Sequence, residues 1–273
     1  MPAPPATVLC VCTANVCRSP AAELLLRAGL RRRLGDRAAR AIELTSAGIW
    51  ASQGRPVEPG TAKALRAHGV TEADLAAARS VPLRREAVVA ADLVLAAAAE
   101  HVRGVWRLQI AARYRTFTLG ELAILAEAVD PAGLPPLDPP DSLDSDPPQL
   151  AAGVLRAGTA ALVPPTGPDE RALPGRVDPA ARLRALVRAA SALREARRAP
   201  DAPYVTDAYD LADPTDNDPA QRDMVEQTAF HVDALLDVLA GPGPARRPAR
   251  DRVHWPAWAV QWSRSRARRG ASR

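Results

Sequence analysis

The first 35 residues constrain this chain more than any other stretch. Residues 7–12 (TVLCVC) are an apolar, partly β-branched run that stops at a polar loop, TANVCRS, and a helical stretch, PAAELLLRAGLRRRLG, follows. Apolar residues at every position of a short run mark a strand buried on both faces, which is how parallel sheets read. Pro20 at the first helical position behind Ser19 as N-cap is a start signal, and Gly35 a stop. Strand, tight loop and helix in immediate succession form the opening unit of an α/β fold.

The alternation continues. Residues 42–46 read as a strand, 58–68 as a helix closed by Gly69, 84–91 as a helix, 93–97 as a strand, and 115–119 as a short strand leading into a helix through 127. The expected fold class is α/β: a single domain with a four-stranded parallel sheet flanked by helices, carrying a helical and Pro-rich insertion. Residues 1–129 would form the core and 130–200 the insertion. Residues 201–240 would return to the core, ending in a helix over 221–239, and 241–273 would form a basic tail. Within the insertion, 130–148 read as a Pro- and Asp-rich loop, 150–163 as a small helix, 164–174 as a break, and 179–198 as an arginine-rich amphipathic helix. Aromatics are only 4% of a chain that is 47% hydrophobic, so its core is built of Ala, Leu and Val, a composition that favours helices over a β-sandwich.

The three cysteines, Cys10, Cys12 and Cys17, lie within eight positions of one another, so no disulfide framework can be drawn and a reducing compartment fits. The N-terminus lacks a basic n-region followed by a long apolar stretch, and the apolar run around 87–99 is too short and interrupted to span a bilayer. A soluble, cytoplasmic protein is expected. The four histidines, His68, His101, His231 and His254, show no metal-ligand spacing and read as surface or cap residues; no metal and no cofactor are expected.

The loop itself carries chemistry. Between a strand end and a helix start, the backbone N–H groups of Thr13, Ala14, Asn15, Val16 and Cys17 can turn inward as an anion nest reinforced by the helix dipole. A phosphate dianion suits such a nest, and the same field stabilises a thiolate at Cys12. Arg18 can return across the loop to grip two phosphoryl oxygens in a bidentate manner, which a lysine could not do. Ser19 can donate a hydrogen bond to the sulfur. Cys10, alternating with Cys12 along the strand, reads as plain core.

The segment VLCVCTANVCRSPAAELL resembles the signature of the low-molecular-weight protein tyrosine phosphatases, Cys-x-Gly-Asn-x-Cys-Arg-Ser-Pro between a strand and a helix. Weaker likenesses follow in order at TSAGIWASQGRPVEP, LRAHGV, AADLVL, FTLGEL and DLADPTDNDPAQRDMVEQTAFHVDALL. The resemblance implies hydrolysis of phosphotyrosine or aryl phosphate monoesters through a cysteinyl-phosphate. Cys12 would be the nucleophile, Arg18 the clamp, Asn15 the residue that holds the loop's shape, Ser46 its support, and Ser19 the activator of the thiolate. Cys17 would trap oxidised Cys12 as a disulfide, or simply pack the loop. Expelling a phenolate, whose conjugate acid has a pKa of about 10, needs a proton donor. The family uses an Asp-Pro on a late loop. Asp213-Pro214 and Asp218-Pro219 both fit that description, and the spacing to the final helix in similar bacterial sequences favours Asp213.

The departures from the pattern are Ala14 for the usual glycine, strained if that position needs positive φ, and Ala76 for a histidine that supports the loop. Thr215 and Asp216 stand in place of ring-contacting aromatics, with Trp50 a candidate substitute on the rim. These motivate a phosphate-binding pseudophosphatase as one alternative. A thiol-dependent arsenate reductase is another, although that chemistry shuttles a disulfide through later cysteines that this chain does not have. The tail holds nine arginines against one aspartate, more than the whole net charge of +5, together with Trp255, Trp258 and Trp262. That combination suits an anionic membrane surface or an acidic partner, or else packing back on the domain; nucleic acid is the less favoured partner.

Overall fold

The computed structural model describes residues 4–129, 133–135, 178–197, 207–214 and 217–241. Four strands, β1 (Ala6–Cys12), β2 (Ile42–Gly48), β3 (Leu93–Ala96) and β4 (Thr116–Thr118), form one sheet in the order β2-β1-β3-β4. All pairings are parallel, with Ala6 opposite Ile42, Val8 opposite Leu93 and Val94 opposite Thr116. The expected α/β class and four-stranded parallel sheet are therefore what the chain forms.

Eight α-helices surround the sheet among the described residues: α1 (Arg18–Ala39), α2 (Pro59–Ala67), α3 (Glu72–Ala77), α4 (Arg85–Ala90), α5 (Ala99–Leu108), α6 (Leu119–Ala128), α7 (Pro179–Arg197) and α8 (Asp218–Leu239). The strand alternation of β1 sorts its side chains. Val8, Cys10 and Cys12 face a large core shared with α1, α2, α6, α7 and α8, whereas Leu9 and Val11 face a smaller core closed by Val88 of α4 and Val105 of α5. With helices on both faces and a strand on either side, β1 needs no polar face, which explains the apolar run of residues 7–12.

Three local readings are corrected. Ser19 is not the N-cap and Pro20 is not the first helical residue: α1 starts at Arg18 with Cys17 in the cap position, because the Ser19 hydroxyl is engaged by the loop instead. Beyond Gly35, whose φ of 74° breaks the helical path, α1 resumes and runs to Ala39. Two helices had no counterpart in the sequence reading. The first is the short α3, whose start is fixed by the Thr71 hydroxyl accepting from Asp74 N–H at 3.1 Å. The second is α5, hidden because its Ala-rich beginning continues the apolar run of β3.

The α7 helix lies in the stretch expected as an insertion, and its Leu183 and Leu186 are buried in the main core. Arg194 binds the carbonyl of Thr116 at 2.8 Å and stacks 4.2 Å from the Phe117 ring centroid. Arg182 donates to the carbonyl of Val238 at 2.8 Å. The expectations for residues 136–177, Thr215, Asp216, His254 and the Trp- and Arg-rich tail lie outside the described residues. Among the described residues, no helix is long and apolar enough to cross a membrane.

The strand order places the site. The chain leaves β1 for β2 on one side and returns to β3 on the other, and in open parallel sheets ligands sit outside the carboxyl ends of strands where the order reverses in this way. The loop of residues 12–18 occupies that position.

Candidate active site

Cys12 ends β1, and the next residues fold back over it. The backbone N–H of Asn15 lies 3.3 Å from Cys12 Sγ, and the hydroxyl of Ser19 lies 3.0 Å from it. Asn15 is the only non-glycine described with positive φ, at 57°. Ala14 does not take positive φ, so the condition for strain there is not met: the left-handed turn falls one residue later, on a residue type that tolerates it. The Asn15 side chain is fully employed. Its amide nitrogen donates to Ser19 Oγ at 2.8 Å and to Ser46 Oγ at 2.9 Å, and its carbonyl accepts from Val81 N–H at 2.8 Å. Ser46 in turn donates to Glu23 at 2.6 Å. The chain of contacts from Glu23 through Ser46, Asn15 and Ser19 to the sulfur ties α1, β2 and the loop together.

Neighbouring segments hold the loop's outer edge. Ile49 N–H donates to the Cys12 carbonyl at 2.9 Å, Trp50 N–H to the Thr13 carbonyl at 2.8 Å, and Glu58 N–H to the Val16 carbonyl at 3.0 Å. A Cβ on Gly48 would stand 2.6 Å from the Thr13 carbonyl and 2.9 Å from Asn15 N, so this position needs glycine for close approach. Trp50 itself is 81% exposed. Ala76 is exposed on α3, and the loop support expected from a histidine there comes instead from Val81 and Ser46.

Arg18, 5% exposed, reaches back across the loop. Its Nη2 donates to Thr13 Oγ1 at 3.1 Å and pairs with Asp213 Oδ1 at 2.8 Å. Asp213 arrives from the far end of the chain, on a segment pinned to the sheet by Leu211 N–H on the Ala97 carbonyl and by Asp210 capping Ala99 N–H at 2.7 Å. The rival Asp218 lies instead in the first turn of α8, 3.7 Å from Lys63. The structure thus brings Cys12, Arg18 and Asp213 to one face, with Thr13, Asn15, Ser19 and Ser46 around them.

Two histidines expected at the surface are buried. His101, on the first turn of α5, is 1% exposed, and its Nε2 lies 2.9 Å from Thr13 Oγ1. Burial, with the Arg18 charge adding to it, pushes its pKa down to about 4, so the ring is neutral at physiological pH. His231 of α8 is pushed down to about 4 by burial alone. His68 does end α2 as a cap, packed against Glu226 at 2.8 Å. The apolar period of Val102 and Val105 was the signal that could have revealed α5 and His101. Glu23, on α1, carried no local signal, since its partner Ser46 lies on β2. Burial raises the Cys10 thiol well above its ordinary value and Cys17 to about 11. Among the described residues there is no group of three or more side chains suited to a metal ion.

A family model described as low molecular weight phosphotyrosine protein phosphatase matches residues 7–130. The chain is 33% identical over 121 residues to the probable low molecular weight protein-tyrosine-phosphatase EpsP of Ralstonia solanacearum, a match covering 42% of this chain and 72% of that protein. The chain belongs to the low-molecular-weight protein-tyrosine-phosphatase family. It is a phosphatase. Two further relatives are the low molecular weight protein-tyrosine-phosphatase Etp of Escherichia coli K12 (31% over 125 residues, 46% of this chain and 76% of Etp) and the protein-arginine-phosphatase of Bacillus subtilis 168 (30% over 128 residues, 46% and 79%). The solved YwlE arginine phosphatase from Geobacillus stearothermophilus is 32% identical over 44% of this phosphatase and 70% of that chain, with a TM-score of 0.37; the likeness there rests on sequence, not on superposition.

Proposed function

We propose that this phosphatase hydrolyses phosphotyrosine and other aryl phosphate monoesters by way of a cysteinyl-phosphate. The observation that carries this reading is the convergence on one loop of a sulfur contacted by two hydrogen-bonding groups, a buried arginine, and an exposed carboxyl 2.8 Å from that arginine. In the first step the Cys12 thiolate attacks phosphorus and the bond to the aryl oxygen breaks. Asp213, as its neutral acid, gives its proton to the departing oxygen, so a phenol leaves instead of a phenolate. Arg18 and the loop N–H groups hold the equatorial oxygens as charge spreads over them. In the second step Asp213 takes a proton from water, the water oxygen attacks phosphorus, and the S–P bond breaks to give orthophosphate and the thiolate. Ser19 stabilises the leaving sulfur in that step.

Phosphotyrosine is favoured as substrate because the proposed acid stands where a poor leaving group needs it and because Trp50 offers an exposed ring. A phosphoprotein is the proposed partner, and the cytoplasm the proposed site of action, where free thiols persist. With only three cysteines, all at or before Cys17, the chain has no further thiols for an arsenate-reducing disulfide relay.

The test is hydrolysis of p-nitrophenyl phosphate by the wild type and by Cys12→Ser and Arg18→Ala, followed by phosphotyrosine and phosphoarginine peptides. The reading expects turnover in the wild type, none in either variant, and preference for the phosphotyrosine peptide. Turnover that survives in Cys12→Ser would remove the covalent mechanism; preference for phosphoarginine would move the substrate.

A further inference from the structure

The Thr13 hydroxyl joins the loop to a residue of α5. Thr13 Oγ1 accepts from Arg18 Nη2 at 3.1 Å on one side and meets His101 Nε2 at 2.9 Å on the other. His101 Nε2 also lies 3.3 Å from Glu100 Oε1, and among the described residues Arg18, Thr13 and Glu100 are the polar groups that face the ring. The other ring nitrogen, Nδ1, is buried without a hydrogen-bond partner among the described residues. An orphaned buried N–H is disfavoured more than an orphaned lone pair. The proton therefore belongs on Nε2, between Thr13 and Glu100, and Nδ1 is left bare.

Resting on the phosphatase reading, we propose that His101 is a positioning residue for phosphoryl transfer, acting through the Thr13 hydroxyl on the Arg18 guanidinium. With Nε2–H donating, both lone pairs of Thr13 Oγ1 are taken, one by His101 and one by Arg18. The hydroxyl hydrogen is then left for a third partner, an oxygen of the phosphoryl group held in the loop. The same pair of bonds keeps one N–H of Arg18 anchored when its partner changes from Asp213 to the phosphoryl oxygens. His101 never touches substrate in this arrangement. It sits at the start of α5, at the carboxyl end of β3, so the neighbouring strand sets the geometry of a loop that β1 begins.

The variants are His101→Leu, which removes the donor, His101→Gln, which keeps an amide N–H near the Nε2 position, Thr13→Val, and the double variant His101→Leu/Thr13→Val. Each is checked by thermal unfolding and assayed on p-nitrophenyl phosphate, and orthophosphate affinity is measured calorimetrically on a Cys12→Ser background. Loss of a hydrogen bond to a charged network is expected to lower kcat/KM and phosphate affinity by about ten-fold or more in His101→Leu. His101→Gln should recover most of that loss. Thr13→Val should match His101→Leu, and the double variant should be no worse than either, because both changes cut one link. The inference is overturned if His101→Leu stays within about two-fold of wild type, or if the two single losses multiply in the double variant. Should His101→Leu fail to fold, Thr13→Val with unaltered phosphate affinity overturns it equally. The calorimetric arm reads the link without turnover, so an inactive wild type would defeat the functional reading while leaving this one decided separately.

Discussion

Arg18 Nη2 and Asp213 Oδ1 lie 2.8 Å apart, an ion pair between a buried guanidinium and a carboxylate that is 77% exposed. A phosphoryl group entering the loop competes with that carboxylate for the same donor and meets its negative charge. Replacing Asp213 with Ala should therefore tighten orthophosphate inhibition while lowering kcat. Because one partner is solvated, the gain in affinity should be modest, about two- to five-fold. Product inhibition constants for the two proteins check it; weaker inhibition in the variant would show that the pair does not compete with phosphate.

Leaving-group dependence separates the two Asp-Pro motifs. Asp213→Asn should slow phenyl phosphate by about 10²- to 10⁴-fold and a substrate with a better leaving group far less, since only the first needs the proton. Asp218→Asn, altered in the first turn of α8 beside Lys63, should leave both rates near wild type. The reverse pattern would move the acid to Asp218.

Asn15 joins two demands, a φ of 57° and three side-chain hydrogen bonds. Asn15→Gly meets the first and loses the second; Asn15→Ala loses both. Activity should fall in the order wild type, glycine, alanine, and the alanine variant should be less stable than the glycine variant by about 1 kcal/mol, the cost of a left-handed alanine. Urea unfolding and initial rates measure both. Equal stability of the two variants would mean that the loop escapes the left-handed turn without penalty.

Oxidation tests Cys17. Peroxide should convert the Cys12 thiolate to a sulfenic acid with release of hydroxide, and the Cys17 thiolate should then attack that sulfur, expelling a second hydroxide, to form a reversible disulfide. The attacking species is the Cys17 thiolate, and burial holds that thiol at about 11. Below that value the rate of disulfide closure should rise about ten-fold per pH unit as the thiolate fraction grows. Mass spectrometry after a peroxide pulse, quenched at several pH values, follows it. Sulfinic acid at Cys12 with Cys17 still reduced would deny the protective role.

Acid should weaken the fold through the buried histidines. His101 and His231 both titrate at about 4 in the folded protein, below the value of about 6.5 for an exposed imidazole. Between those values the unfolded chain binds more protons than the folded one, so their contribution to stability is whole above about pH 6.5 and is lost as pH falls toward 4. Each histidine adds up to about 1.4 kcal/mol per pH unit to that slope. Thermal melts of wild type and His231→Leu from pH 7 to 4 should show a shallower decline in the variant. Parallel declines would place the acid sensitivity elsewhere.

The sequence by itself determined whatever depends on neighbours along the chain. An apolar run, a polar loop and a helix in succession fix a parallel strand and the turn that follows it within about a dozen residues, and Cys12, Arg18 and Ser19 are legible because their geometry is set by that one turn. The sheet's class followed from period and punctuation, while α5 escaped because alanine serves a strand end and a helix start equally well. Only the tertiary structure decided what reaches the loop from elsewhere. Ser46 and Val81 arrive on Asn15 from 31 and 66 positions away. Asp213 is delivered by the hold of Ala97 and Ala99 on Leu211 and Asp210, which separates it from the other Asp-Pro motif, at Asp218. The same holds for His101, a residue without a motif of its own. Its burial against Thr13 depends on β3 lying beside β1, a parallel neighbour that chain-local patterns do not specify.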